Sequence, residues 1–132
     1  MSVDDLIKSL NFNDKGLIPS IIQDDATGKV LTLCYMNEAA LRKTFEEGRI
    51  YLFRRSRSML MMKGSTSGHV QIVKKIYIDC AENSLLFRIE QKGGACHAGW
   101  FTCYYRETDR AGKVKVVEKK VFEPSKVYTQ GR

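Results

Sequence analysis

Cys80, Cys96 and Cys103 are the residues of this 132-residue chain whose type and spacing could do chemistry. They fall, with His97 and the sole tryptophan, Trp100, inside residues 79–106, DCAENSLLFRIEQKGGACHAGWFTCYYR. Three thiolates that leave a fourth position open can hold a catalytic zinc ion. Zinc–sulfur bonds of about 2.3 Å need sulfurs within about 4 Å of one another. Seven residues of continuous helix would part Cys96 from Cys103 by about 10 Å. The segment between them must therefore fold back if both are ligands, and Gly99 permits it. The spacing is not the two-residue gap of a zinc ribbon, so a generic finger is disfavoured. Spacing alone leaves two readings open: a zinc centre, or unrelated thiols in core and surface positions. His97, beside a candidate ligand, could shuttle a proton or orient that ligand through a hydrogen bond.

A second group lies in residues 54–69, RRSRSMLMMKGSTSGH. Arg55, Arg57, Lys63, Ser65, Thr66 and Ser67 combine cationic heads, hydroxyls and a glycine-rich backbone, a set that suits a phosphate. The spacing of glycine, lysine and hydroxyl residue that defines the nucleoside-triphosphate loop is absent, so a plain solvated turn competes with the phosphate reading.

One domain must position these groups, since 132 residues suffice for one core and leave no length for a second. Apolar residues make up 43% and prolines number two, which excludes a disordered chain. No apolar run reaches the roughly 18 residues of a membrane span. The opening MSVDDLIKSLNF has the character of neither a signal nor a transit peptide, which makes the cytoplasm the expected compartment. The four cysteines are then expected as reduced thiols available to a metal or to catalysis. The net charge of +7 favours an anionic ligand. Part of it lies on Lys113, Lys115, Lys119 and Lys120, which alternate with valines as on a half-exposed strand.

Along the chain, residues 1–14 predict one or two amphipathic turns appended to the main fold. Residues 17–23 and 29–36 predict a hairpin about the turn DDATG, with Cys34 as a packed thiol. Asn37 caps a helix whose face is Ala40, Leu41, Thr44 and Phe45 and which stops at Gly48. Strands are expected at 50–53, 70–80, 84–91, 104–106 and 114–122. In 70–80 a single alternation sets Val70, Ile72, Ile76 and Ile78 against Gln71, Val73, Lys75, Tyr77 and Asp79. If that strand continues, Cys80 shares the apolar face, and Asp79, Ala81 and Asn83 share the opposite one. The sum is an α+β domain with a largely antiparallel sheet and one main helix.

The order of GLIPSIIQDDATGKVLTLCYMNEAAL, the RSR of 55–57, KGSTSG, VQIV, the DC of 79–80, EQKGGACHAG, CYYR and VFEPSKVY resembles the phosphoribosyl-AMP cyclohydrolase family of histidine biosynthesis. The resemblance runs from about residue 16 to 128. It implies an intertwined homodimer with zinc at the subunit interface, held by Cys80, Cys96 and Cys103 from both chains. It implies hydrolytic opening of an N1-ribosylated adenine between N1 and C6, with His97 moving the proton. Arg55, Arg57, Lys63, Ser65, Thr66 and Ser67 would hold the substrate's phosphates.

The family also binds magnesium through three alternating aspartates. Only Asp79 survives here, the other positions being Ala81 and Asn83. Losing two carboxylates predicts a much weakened magnesium site, because that ion wants hard anionic oxygens. Further departures surround the substrate region: Met61 stands for a tryptophan, His69 for an asparagine, 52–54 read Leu-Phe-Arg, and 99–102 read Gly-Trp-Phe-Thr. These changes support an alternative, a divergent paralogue acting as a zinc hydrolase or deaminase on another nucleotide-like ring. A noncatalytic anion- or nucleic-acid-binding module is a third reading, disfavoured because no aromatics interleave with a basic patch.

Overall fold

The computed structural model describes residues 2–54, 59–62, 70–91 and 100–119. Its main sheet begins with a hairpin of β1 (Ile18–Asp24) and β2 (Val30–Met36), paired antiparallel from Ile18 opposite Met36 to Gln23 opposite Val30. Asp24 organises the turn: its carboxylate accepts from the Thr27 amide at 3.0 Å and the Thr27 hydroxyl at 2.6 Å. Gly28 takes the left-handed φ of 79° that closes it. Two later strands, β5 (Gln71–Ile78) and β6 (Leu85–Gln91), complete the order β2-β1-β6-β5. The central β1–β6 pair is parallel and the outer pairs are antiparallel. The α+β expectation therefore holds, with one parallel pair at the sheet's centre.

One face of this sheet makes the core. Ile18 and Ile22 of β1 and Leu85, Phe87 and Ile89 of β6 are buried at alternate positions, as a pleated strand with one covered face requires. The cover is α2 (Glu38–Glu47), which buries Ala40, Leu41 and Thr44 and packs Phe45 against the cluster. Asn37 caps it by accepting from the Ala40 amide at 2.8 Å, and Gly48 ends it with φ 70°. The Thr44 hydroxyl donates to the Ala40 carbonyl and accepts from the Tyr51 amide at 3.0 Å. That bond ties the helix to β3 (Tyr51–Arg54), which pairs with β4 (Met59–Met62) in a separate ribbon. A third ribbon joins β7 (Arg106–Thr108) to β8 (Val114–Val116).

Four expectations change. The N-terminal segment forms α1 (Val3–Ser9), closed by a Ser2–Asp5 capping box, and it sends Ile7 and Leu10 into the core. It is part of the packing, not an appendage to it. In β5 a bulge between Val73 and Lys75 shifts the register, so Val73 opposite Ile89 and Ile76 opposite Phe87 lie on the same side. The single alternation predicted for 70–80 is thus broken in two. No element is predicted for the methionine run, which forms β4. Of the last two strands, β7 begins two residues later than predicted, after Tyr104 and Tyr105, and β8 starts at Val114 as predicted but stops at Val116.

Candidate functional site

Cys80 is held by a tight turn and not by a strand. β5 ends at Ile78, and the Asp79 carboxylate folds the chain back by accepting from the Asn83 amide at 2.9 Å and the Ser84 amide at 3.2 Å. The Asp79 amide donates to the Ser84 carbonyl, and Glu82 takes a left-handed φ of 57° to complete the reversal. Burial pushes the Asp79 carboxyl up, but bonds from the Ser84 hydroxyl and the Asn83 and Ser84 amides outweigh it and hold the group below its ordinary range. The expectation that Asp79, Ala81 and Asn83 share a strand face therefore fails. A short polar side chain that bonds its own backbone offered the chain a turn in place of another rung of sheet.

This turn is braced from outside. The Asn11 amide donates to the Glu82 carbonyl at 2.8 Å, and the Asn11 side chain donates to the Ala81 carbonyl at 3.1 Å. Cys80 stays exposed within it.

Cys103 is fixed by a different device. Thr102, 3% exposed, donates its hydroxyl to the Val30 carbonyl at 2.7 Å, and the Cys103 amide donates to the Leu31 carbonyl at 2.7 Å. Phe101 packs against the core, and Trp100 stacks on Tyr105 with ring centroids 4.3 Å apart. The residues that replace the polar stretch between the later cysteines are thus anchors that lash the segment to β2. They leave Cys103 exposed.

The two thiols stand far apart. The Cys80 turn opens into β6 at Leu85, beside Ser20 in the first half of β1. Cys103 hangs from β2 at Leu31, beside the last residues of β1, where Gln23 faces Val30. The offset is several residues along the strands and two to three strands across, on the order of 15 Å or more. Among the described residues, no three histidine, cysteine, aspartate or glutamate side chains converge to hold a metal ion. Cys96, His97, Arg55, Arg57, Lys63, Ser65, Thr66 and Ser67 lie outside the described residues. By chain position the two arginines fall between β3 and β4, and the Lys63–Ser67 set follows β4. Cys34 behaves as expected: half-buried, packed on the core, its thiol 3.6 Å from the Ser20 carbonyl.

Two surface features were not anticipated. On the uncovered face of the sheet, Leu33, Ile21, Leu86 and Tyr77 are successive cross-strand partners, forming an apolar row over all four strands. Leu33 is 43% and Tyr77 46% exposed, large values for side chains of this size in a sheet. The second feature is a cavity of about 480 Å³ lined by Asn11, Phe12, Asn13, Pro19, Tyr35 and Asn83. Its described lining residues come from four separate places in the chain, so no spacing in the sequence marks it. No described helix is long and apolar enough to cross a membrane.

Residues 32–105 match the family model described as phosphoribosyl-AMP cyclohydrolase. A phosphoribosyl-AMP cyclohydrolase of Desulforapulum autotrophicum is 51% identical over 121 residues, covering 90% of this chain and 97% of that protein. One from Pelotomaculum thermopropionicum is 45% identical over 122 residues, 92% of this chain and 95% of that protein. The histidine biosynthesis bifunctional protein of Thermoanaerobacter pseudethanolicus is 44% identical over 126 residues, 96% of this chain but 58% of that protein.

Proposed function

Because the chain belongs to the phosphoribosyl-AMP cyclohydrolase family, we propose that it hydrolyses phosphoribosyl-AMP in histidine biosynthesis, opening the adenine ring between N1 and C6. Cyclohydrolase relatives matched over nearly their whole length carry this reading. Water adds at C6, the N1–C6 bond breaks, and the proton lost by water goes to the released nitrogen. His97 moves that proton. Arg55, Arg57, Lys63, Ser65, Thr66 and Ser67 hold the phosphates, and the +7 net charge helps to attract them.

Cys80, Cys96 and Cys103 would hold zinc, and their soft sulfur donors fit that ion. Zinc in such a site supplies the Lewis acidity that makes hydroxide available near neutral pH. A single chain cannot bring Cys80 and Cys103 to one ion across on the order of 15 Å when their sulfurs must approach within about 4 Å. This supports a homodimer in which Cys80 meets Cys103 of the partner subunit. The apolar row Leu33–Ile21–Leu86–Tyr77, and the exposed Val114, Val116 and Val117 of the last ribbon, supply surface for such a union. The reaction would proceed in the cytoplasm.

Magnesium fits poorly. Ala81 and Asn83 bring no charge, and Oδ1 of Asp79 is engaged by two backbone amides. No step is assigned to that ion.

The test is ring opening of phosphoribosyl-AMP by zinc-loaded protein, followed by the ultraviolet change of the opened base. No turnover by fully loaded dimer would overturn the proposal.

A further inference from the structure

We propose that the cavity between the N-terminal segment and the 79–84 turn is a subsite for an adenine base, with Asn83 as its reading residue. The inference rests on the reaction proposed above and deepens it by naming where the base binds. Among the described residues that line the cavity none carries a charged side chain, so it suits a neutral heterocycle better than a phosphate. Its apolar part is Phe12, together with Pro19 and Tyr35, which are cross-strand partners on β1 and β2. Aromatic faces of this kind stack on a planar base.

Its polar part is three asparagines, and their roles differ. The Asn11 side chain is engaged with the Ala81 carbonyl. Oδ1 of Asn13 accepts from the Lys15 and Leu17 amides. These two build the wall. Asn83 lends only its backbone N–H to Asp79, and its side-chain amide makes no hydrogen bond among the described residues. A primary amide offers a donor and an acceptor side by side. Adenine presents the complement on one edge, with an N6 donor beside the N7 acceptor. A 6-oxo purine presents two acceptors there and fits less well.

The placement also serves the reaction. Asn83 and Cys80 belong to one turn, fixed at its base by Asp79 and braced by Asn11. An adenine gripped at N6 and N7 would be held beside the thiol assigned to zinc.

The probes are AMP, IMP and ribose 5-phosphate, titrated into the zinc-loaded full chain by calorimetry and by backbone amide NMR. AMP is expected to shift the amides of Phe12, Tyr35 and Asn83, and to bind about tenfold more tightly than IMP. Asn83→Ala should weaken AMP by about tenfold and level the AMP/IMP ratio, with zinc content unchanged. If that variant does not fold, Asn83→Leu keeps the side-chain volume but loses both donor and acceptor, and should level the ratio as well. The proposal is overturned if ribose 5-phosphate moves the same amides, or if the folded variant retains the AMP preference. Ring opening by the unaltered protein is measured in parallel. AMP selectivity without ring opening sinks the proposed reaction while supporting the subsite; ring opening without AMP selectivity does the reverse.

Discussion

Two inactive variants should restore each other. Cys80→Ser and Cys103→Ser each remove one thiol from every zinc set, so each homodimer is expected to lose zinc and turnover. In a mixed dimer the outcome depends on which chains supply the ligands. If each site takes Cys80 from one subunit and Cys103 from the other, one site loses both thiols and its twin keeps both. If each site lies within one chain, both sites are broken. The separation of the two thiols, on the order of 15 Å or more along and across the sheet, favours the first case. Random reassociation of equal amounts makes about half the dimers mixed, each with one good site, so about a quarter of the original sites return. Purifying the mixed dimer through two different affinity tags sharpens the expectation to one zinc per dimer, read by native mass spectrometry. Turnover per zinc should equal that of the unaltered protein. A mixed dimer without zinc refutes the shared site, and so does a zinc-loaded monomer.

Asn37→Ala removes the acceptor that caps α2 and should lower unfolding free energy by about 1 kcal/mol in urea titrations. Thr44→Val leaves the half-buried Tyr51 amide without its hydroxyl partner at the edge of the core, at a cost of about 1–3 kcal/mol by the same measurement; no change would show that the helix–β3 tie is dispensable. Phe87→Ala empties the largest fully buried position among the described residues and should cost about 3–5 kcal/mol, enough to move the thermal midpoint by many degrees. The hydrogen bond from Arg42, with help from Lys8, holds the Asp4 carboxyl below its ordinary range. A carboxyl lowered by folding adds stability that is complete above its unfolded pKa of about 3.9 and disappears as pH falls through the folded value. Stability curves of the unaltered protein and Asp4→Asn should therefore converge on acidification below that point, and curves that stay parallel would contradict the assignment.

Local signals in the sequence were read well where one segment decides its own structure. Asn37 and Gly48 bracket α2 because capping is a matter of a few adjacent backbone groups. Asp24, Thr27 and Gly28 close the hairpin for the same reason. Alternation located β6, whose Leu85, Phe87 and Ile89 face one packed layer. It misread β5, because one bulged residue reverses every later side chain and hydropathy does not mark the insertion. The parallel pairing of β1 with β6 depends on segments some sixty residues apart and leaves no local trace. At the site, the cysteines were identifiable by type, whereas the turn around Cys80 hinges on Asp79 bonding its own backbone. The role of Asp79 as a turn former competes with its reading as a metal ligand, and a motif cannot distinguish the two. The asparagines of the cavity carry no motif at all, Asn11 and Asn13 coming from one segment and Asn83 from another some seventy residues away.

The clasp of Thr102 and Cys103 on β2 has a consequence for solubility. The outermost strands of an open sheet offer unpaired amides and carbonyls on which a foreign strand can crystallise into an aggregate. β2 is one such strand, and its Val30 and Leu33 are both 43% exposed. By claiming the Val30 and Leu31 carbonyls, Thr102 and Cys103 remove the rungs from which an intruding chain would start. The opposite margin, β5, is guarded by its bulge and by the exposed Lys74 and Lys75. The kink spoils the straight template and the two charges repel a close-packed neighbour. A variant that frees the clasp, such as Thr102→Ala, would therefore surrender colloidal stability as well as the placement of a thiol.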